Sequence, residues 1–120
     1  MKSVKLCLIG IALLLVACEA ENIEDLFEGV ECRTENVGFA ADVKPVLETH
    51  CLNCHNALAA LGGVILQTHE DVKFWVDNGR LLGSIQHLPG FSPMPQIGEK
   101  LDECSIEQIE SWIADGAPDN

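Results

Sequence analysis

The sequence predicts an all-α domain of three to four short helices, and three observations carry that expectation. Apolar residues recur at helical spacing in several segments. The breaks between those segments are built from Gly, Pro and Asn-Gly. No pair of runs alternates apolar and polar residues as two half-buried strands would. At 120 residues there is room for one small core. With four Phe, two Trp and no Tyr, that core looks thin enough to need something besides side chains to fill it.

The elements follow in order. Met1 to Lys5 carries two lysines, and "LCLIGIALLLVA" then runs apolar up to Cys18. A short cationic start followed by an apolar run too brief to span a bilayer comfortably is the pattern of an export signal, assigned here to residues 1–17. The run ends in "LVAC", residues 15–18, which resembles the lipobox of bacterial lipoproteins. That resemblance implies acylation of Cys18 and a protein held on the periplasmic side of a membrane. Ordinary cleavage after Ala17 would instead leave a soluble periplasmic or surface protein.

Removing residues 1–17 takes Lys2 and Lys5 and no acid, which moves the formal charge from −12 to −14. The acids Glu19, Glu21, Glu24, Asp25, Glu28, Glu31 and Glu35 crowd into the next stretch against Arg33 alone. Residues 18–37 therefore read as a solvated tether. This charge argues against nucleic acid as a partner, since phosphates would be repelled. It is compatible with docking to a basic protein surface.

The globular part is expected over 38–120. In "FAADVKPVLETH", Phe39, Val43, Val46 and Leu47 recur at helical spacing, with Asp42 available as a cap and Pro45 in the first turn. A helix over about 42–50 follows. "LAALGGVILQ" is broken by Gly62-Gly63. Thr68 and Asp71 then form a capping-box pair, Val72, Trp75 and Val76 share a face, and Asn78-Gly79 stops the helix. "RLLGSIQ" supplies one further turn, and "HLPGFSPMPQIG" is irregular for its three prolines. In the last helix Ser105 and Gln108 make a capping box, Ile106, Ile109, Trp112 and Ile113 line one face, and Gly116 and Pro118 end it.

The chemistry concentrates in "CLNCH", residues 51–55. A structural zinc site needs four ligands, usually as two such pairs, and no second Cys-x-x-Cys or His-x₃₋₅-His is present. A thioredoxin-like dithiol opens a helix in a strand-rich fold, whereas this pair follows a helix. Covalent haem attachment fits the spacing: two thiols add to the two vinyl groups, and the adjacent histidine reaches the iron.

With the helix before "CLNCH", the proline-flanked methionine downstream and the ending "WIADGAP", residues 38–118 resemble a small single-haem c-type cytochrome. The resemblance implies a cytochrome c fold whose first and last helices cross, wrapped around one haem c. By it, Cys51 and Cys54 are the thioether positions and His55 is the proximal ligand. It points to Met94, in "SPMPQ", as the distal ligand, with His87 as the alternative; His50 and His69 are weaker rivals and read as surface histidines. Prolines on both sides of Met94 stiffen its loop, so little entropy is lost when the thioether is held. Arg80 and Trp75 are candidate contacts to the haem propionates. A backbone carbonyl in the 57–66 loop is expected to accept from the His55 ring.

Cys7 leaves with the signal, Cys18 takes lipid, and Cys51 and Cys54 take haem. Cys32 and Cys104 remain, either as a disulfide in an oxidising compartment or as two free thiols. The function expected is electron transfer at a membrane, with redox proteins as partners. The alternatives are an open iron site that binds a gas or reduces peroxide, and a haem subunit of a larger oxidoreductase. Acids such as Glu99 and Asp102 read as capping or solvated groups rather than catalytic ones.

Overall fold

A computed structural model describes residues 32–120. The export signal, Cys18 and the tether as far as Glu31 lie outside the described residues. The described part is all-α, and no strand occurs among the described residues. A π-helical turn, Phe39–Val43, continues into α1, Lys44–His50. A short 3₁₀ turn, Leu61–Gly63, precedes α2 (His69–Asp77), α3 (Arg80–Ile85) and α4 (Glu103–Ala114). No helix among the described residues is long and apolar enough to cross a membrane.

The first helix begins earlier than its apolar spacing predicts, at Phe39 rather than near residue 42. Asp42 is not its N-cap. Its carboxylate reaches back to accept from the Gly38 N–H at 2.8 Å and pairs with Arg33. The Phe39 and Ala40 N–H groups donate to the side-chain and main-chain oxygens of Asn120 at 2.8 and 2.9 Å. The π turn lies directly ahead of Pro45, whose ring would crowd the carbonyl four residues back in a regular helix. Widening the turn there lets one helix run on to His50.

Residues 32–37 belong to the packed domain rather than to a tether, since Val37 is 2% exposed and sits in the core. Charge placed these residues with the acidic stretch, but one buried valine and the Cys32 link to Cys104 hold them down. Their Cα atoms lie 5.4 Å apart and the sulfurs are bonded. The core is also fuller than the aromatic count suggests. Phe39, Val43, Leu47, Val72, Ile109 and Trp112 are among its buried members.

α2 opens on the Thr68–Asp71 capping box, both halves of which are formed. Asn78 caps its end and Gly79, at φ 73°, turns the chain into α3. α4 starts three residues earlier than the Ser105–Gln108 pair indicates. Asp102 is the N-cap, its carboxylate accepting from the Ser105 N–H at 2.9 Å and from the Ser105 hydroxyl. A carboxylate three residues ahead of a serine outcompetes the serine as cap, because it accepts from both groups at once. Gly116, at φ 94°, ends α4. The first helical turn packs on α4 through Phe39 and Trp112, and α3 packs on both α2 and α4.

Candidate functional site: a cavity beside the Cys-x-x-Cys-His turn

α1 ends where the cluster begins. The Leu47 carbonyl accepts from the N–H groups of Cys51 and Leu52, closing the helix. The Cys51 carbonyl then accepts from the N–H groups of Cys54 and His55, at 3.1 and 2.9 Å. Residues 51–55 are thus one tight turn, with both sulfurs and the imidazole close in sequence and in backbone. The 57–66 loop folds back onto it: Leu61 N–H donates to the Cys54 carbonyl and Leu66 N–H to the His55 carbonyl.

This loop meets His55 differently from the expectation. It offers N–H groups to the backbone, and none of its carbonyls accepts from the ring. The Nδ1 of His55 is buried without a hydrogen-bond partner. A buried polar atom left alone costs about 1–3 kcal/mol, and no protein contact offsets that cost at this nitrogen.

A cavity of about 830 Å³ opens beside the turn. Cys51, Cys54, His55, Trp75, Arg80 and Met94 all line it. Its size falls within the roughly 300–1,000 Å³ of cofactor pockets. Leu66, Leu81, Ile85 and Leu101 supply apolar wall from the core side. Leu61, Phe91 and Ile97, all exposed, border it as well, so an apolar ligand seated there would cover them. At one side the Arg80 guanidinium lies 5.2 Å from the centre of the Trp75 ring, a cation–π arrangement on the cavity lining.

The other histidines separate cleanly. His50 is exposed and lines the cavity next to the turn. His69 is not a plain surface residue. Its ring packs edge-on to Phe39 at 4.9 Å and to Trp112 at 5.9 Å, and its Nε2 bonds the Ala117 carbonyl at 2.9 Å. His87 is not part of the cavity lining. Its Nε2 bonds the backbone carbonyl of Met94 at 3.0 Å.

The cysteine pair does not suit thiol–disulfide exchange. Cys51 and Cys54 are unbonded, and burial pushes the Cys51 thiol up to about 11, whereas an exchanging thiol needs its pKa lowered. Among the described residues, no three His, Cys, Asp or Glu side chains gather in a way that would hold a metal ion by themselves, so partners for a structural zinc are not assembled. The residues do suit a flat, largely apolar macrocycle: two free thiols and an unpartnered imidazole on one cavity, with a half-buried thioether 39 residues further along the chain on the same lining. Compared with models of known families, with curated proteins and with solved structures, the chain matches none.

Proposed function

We propose that this chain is a single-haem electron carrier of the c type, with a cytochrome c fold, exported and anchored by lipid at Cys18 on the periplasmic side of a bacterial membrane. One observation carries the reading. Cys51, Cys54, His55 and Met94 line a single cavity of about 830 Å³, and the half-buried His55 ring has one buried nitrogen, Nδ1, with no protein partner. Haem bound there supplies reversible one-electron chemistry.

The chain's own residues do the rest. Cys51 and Cys54 form the two thioether links, which make the cofactor part of the covalent structure. His55 and Met94 are the iron ligands, and two protein ligands that stay in place keep reorganisation small as an electron comes or goes. Leu66, Leu81, Ile85 and Leu101 exclude water from the inner wall. Arg80 and Trp75, together on the cavity lining, would hold the propionates, where a guanidinium would balance carboxylate charge in an otherwise acidic protein. Met94 is preferred to His87 because Met94 lines the cavity, whereas the His87 ring is engaged with the Met94 backbone. The partners are redox proteins with a basic docking surface, matched to the chain's negative charge.

The test is an optical spectrum of the purified protein, oxidised and reduced, with and without carbon monoxide. The expected result is a far-red band in the ferric form and resistance to carbon monoxide in the ferrous form, both lost in Met94→Ala. Ready binding of carbon monoxide by the wild type would replace this reading with an open-site haem protein.

A further inference from the structure

We infer that His87 is a positioning residue for Met94, a clasp that fixes the loop from outside the cavity. The inference rests on the proposed His/Met site and reassigns His87 from alternative ligand to support.

Three observations meet at this point. The first is how α3 ends. Gln86 caps it, the His87 N–H donates to the Ser84 carbonyl at 3.2 Å, and the Leu88 N–H donates to the Gly83 carbonyl at 2.9 Å. This is the Schellman pattern, whose left-handed residue is ordinarily glycine. α2 and α4 put Gly79 and Gly116 at that position, while α3 puts His87 there, at φ 59°. The second is what the ring does: its Nε2 is 3.0 Å from the Met94 carbonyl oxygen and donates to it. The third is that the Met94 N–H donates to the same Ser84 carbonyl that closes the helix, at 3.0 Å.

Both polar backbone groups of Met94 are therefore tied to the end of α3, one to a main-chain carbonyl and one to the His87 ring. Pro93 and Pro95 on either side have no N–H to add. A left-handed non-glycine residue is strained by its Cβ against the following carbonyl, and glycine would avoid that strain at this position. The bond that only the side chain can make is the physical reason for a histidine. Imidazole on a side chain of this length reaches across the turn, which glycine cannot do.

The decisive variant is His87→Gly in the full haem-loaded chain, because glycine suits the helix end and leaves the fold in place. The clasp predicts thermal stability close to wild type and faster hydrogen exchange at the Met94 amide. It also predicts a weakened far-red band and a ferrous form that binds carbon monoxide more readily, by about fivefold, the effect of one ordinary hydrogen bond. A far-red band and carbon monoxide binding unchanged from wild type overturn the clasp and leave the His/Met reading standing. A variant that unfolds as a whole overturns it too, since the ring would then hold the fold rather than one loop. A wild-type bis-histidine spectrum abolished in His87→Gly makes His87 the ligand and also overturns it. A wild-type chain without covalent haem overturns the clasp's purpose together with the function it rests on.

Discussion

The rings of Phe39 and Trp112 lie 5.5 Å apart, centre to centre, tilted by 31°, and they join the first helical turn to the last helix. Trp112 is fully buried, and its indole N–H donates to the Pro118 carbonyl at 2.9 Å. Trp112→Ala removes the largest fully buried side chain and leaves that carbonyl alone. The expected cost is about 3–5 kcal/mol, read as a lower urea midpoint. Trp112→Phe keeps most of the packing and costs less.

The Cys32–Cys104 bond closes a loop with a sequence separation of 72 residues. In the chain-entropy account a loop of that size is worth about 4 kcal/mol. The double variant Cys32→Ala/Cys104→Ala is expected to lose stability on that scale in urea unfolding. It also frees the segment carrying Val37, so hydrogen exchange over residues 33–38 should rise first.

Three carboxylates give the protein a defined acid limit. Asp42 is held below the usual carboxylate range by its hydrogen bond with Arg33, Asp71 by the Thr68 hydroxyl and N–H, and Asp102 by the Ser105 hydroxyl and N–H. Folded values below the unfolded one, which is about 4, mean that the stabilisation is present above that pH. It is lost as pH falls through the folded values. The urea midpoint should stay level from about pH 7 to pH 5 and drop below about pH 4. Asp102→Ala, which removes the α4 cap, is expected to cost about 1 kcal/mol at neutral pH and to make the acid drop shallower.

Gly83 is buried in α3, and a Cβ there would stand 2.6 Å from Cγ of Phe91, a cavity-lining residue. Gly83→Ala must push that ring aside, with an expected cost of about 1–3 kcal/mol. Adding Phe91→Ala should recover most of the loss if the clash is the cause. Differential scanning calorimetry of Gly83→Ala, Phe91→Ala and the double variant checks it.

How much of this was legible in the sequence differs from element to element. The Thr68–Asp71 box, the Asn78-Gly79 stop and the Gly116 end were readable, because each is set by side chains within four residues. The start of the first helix was not. It is fixed by Asn120, 81 residues from Phe39, and by a widened turn ahead of Pro45. Asp102 outranking Ser105 as cap is a contest between neighbours that spacing alone does not decide. The burial of Val37 in an acidic stretch is a tertiary effect that composition hides. At the site, "CLNCH" and the proline-flanked Met94 named residues that share one cavity. In the sequence His87 read as the alternative iron ligand. Its signal was a non-glycine residue at a helix end, and that end becomes recognisable only when the backbone hydrogen bonds are known. His69 was missed as a structural residue for the same reason, since its partners Phe39, Trp112 and Ala117 come from distant parts of the chain.

The proposed function stands or falls with covalent attachment of haem at Cys51 and Cys54. The most direct measurement is the intact mass of the denatured protein, produced in a host with c-type haem maturation. The expected mass is that of the processed, lipidated chain from Cys18 plus one haem, the haem retained after acid-acetone extraction and lost in Cys51→Ala/Cys54→Ala. A bare polypeptide mass, or haem that extracts freely from the wild type, would contradict it.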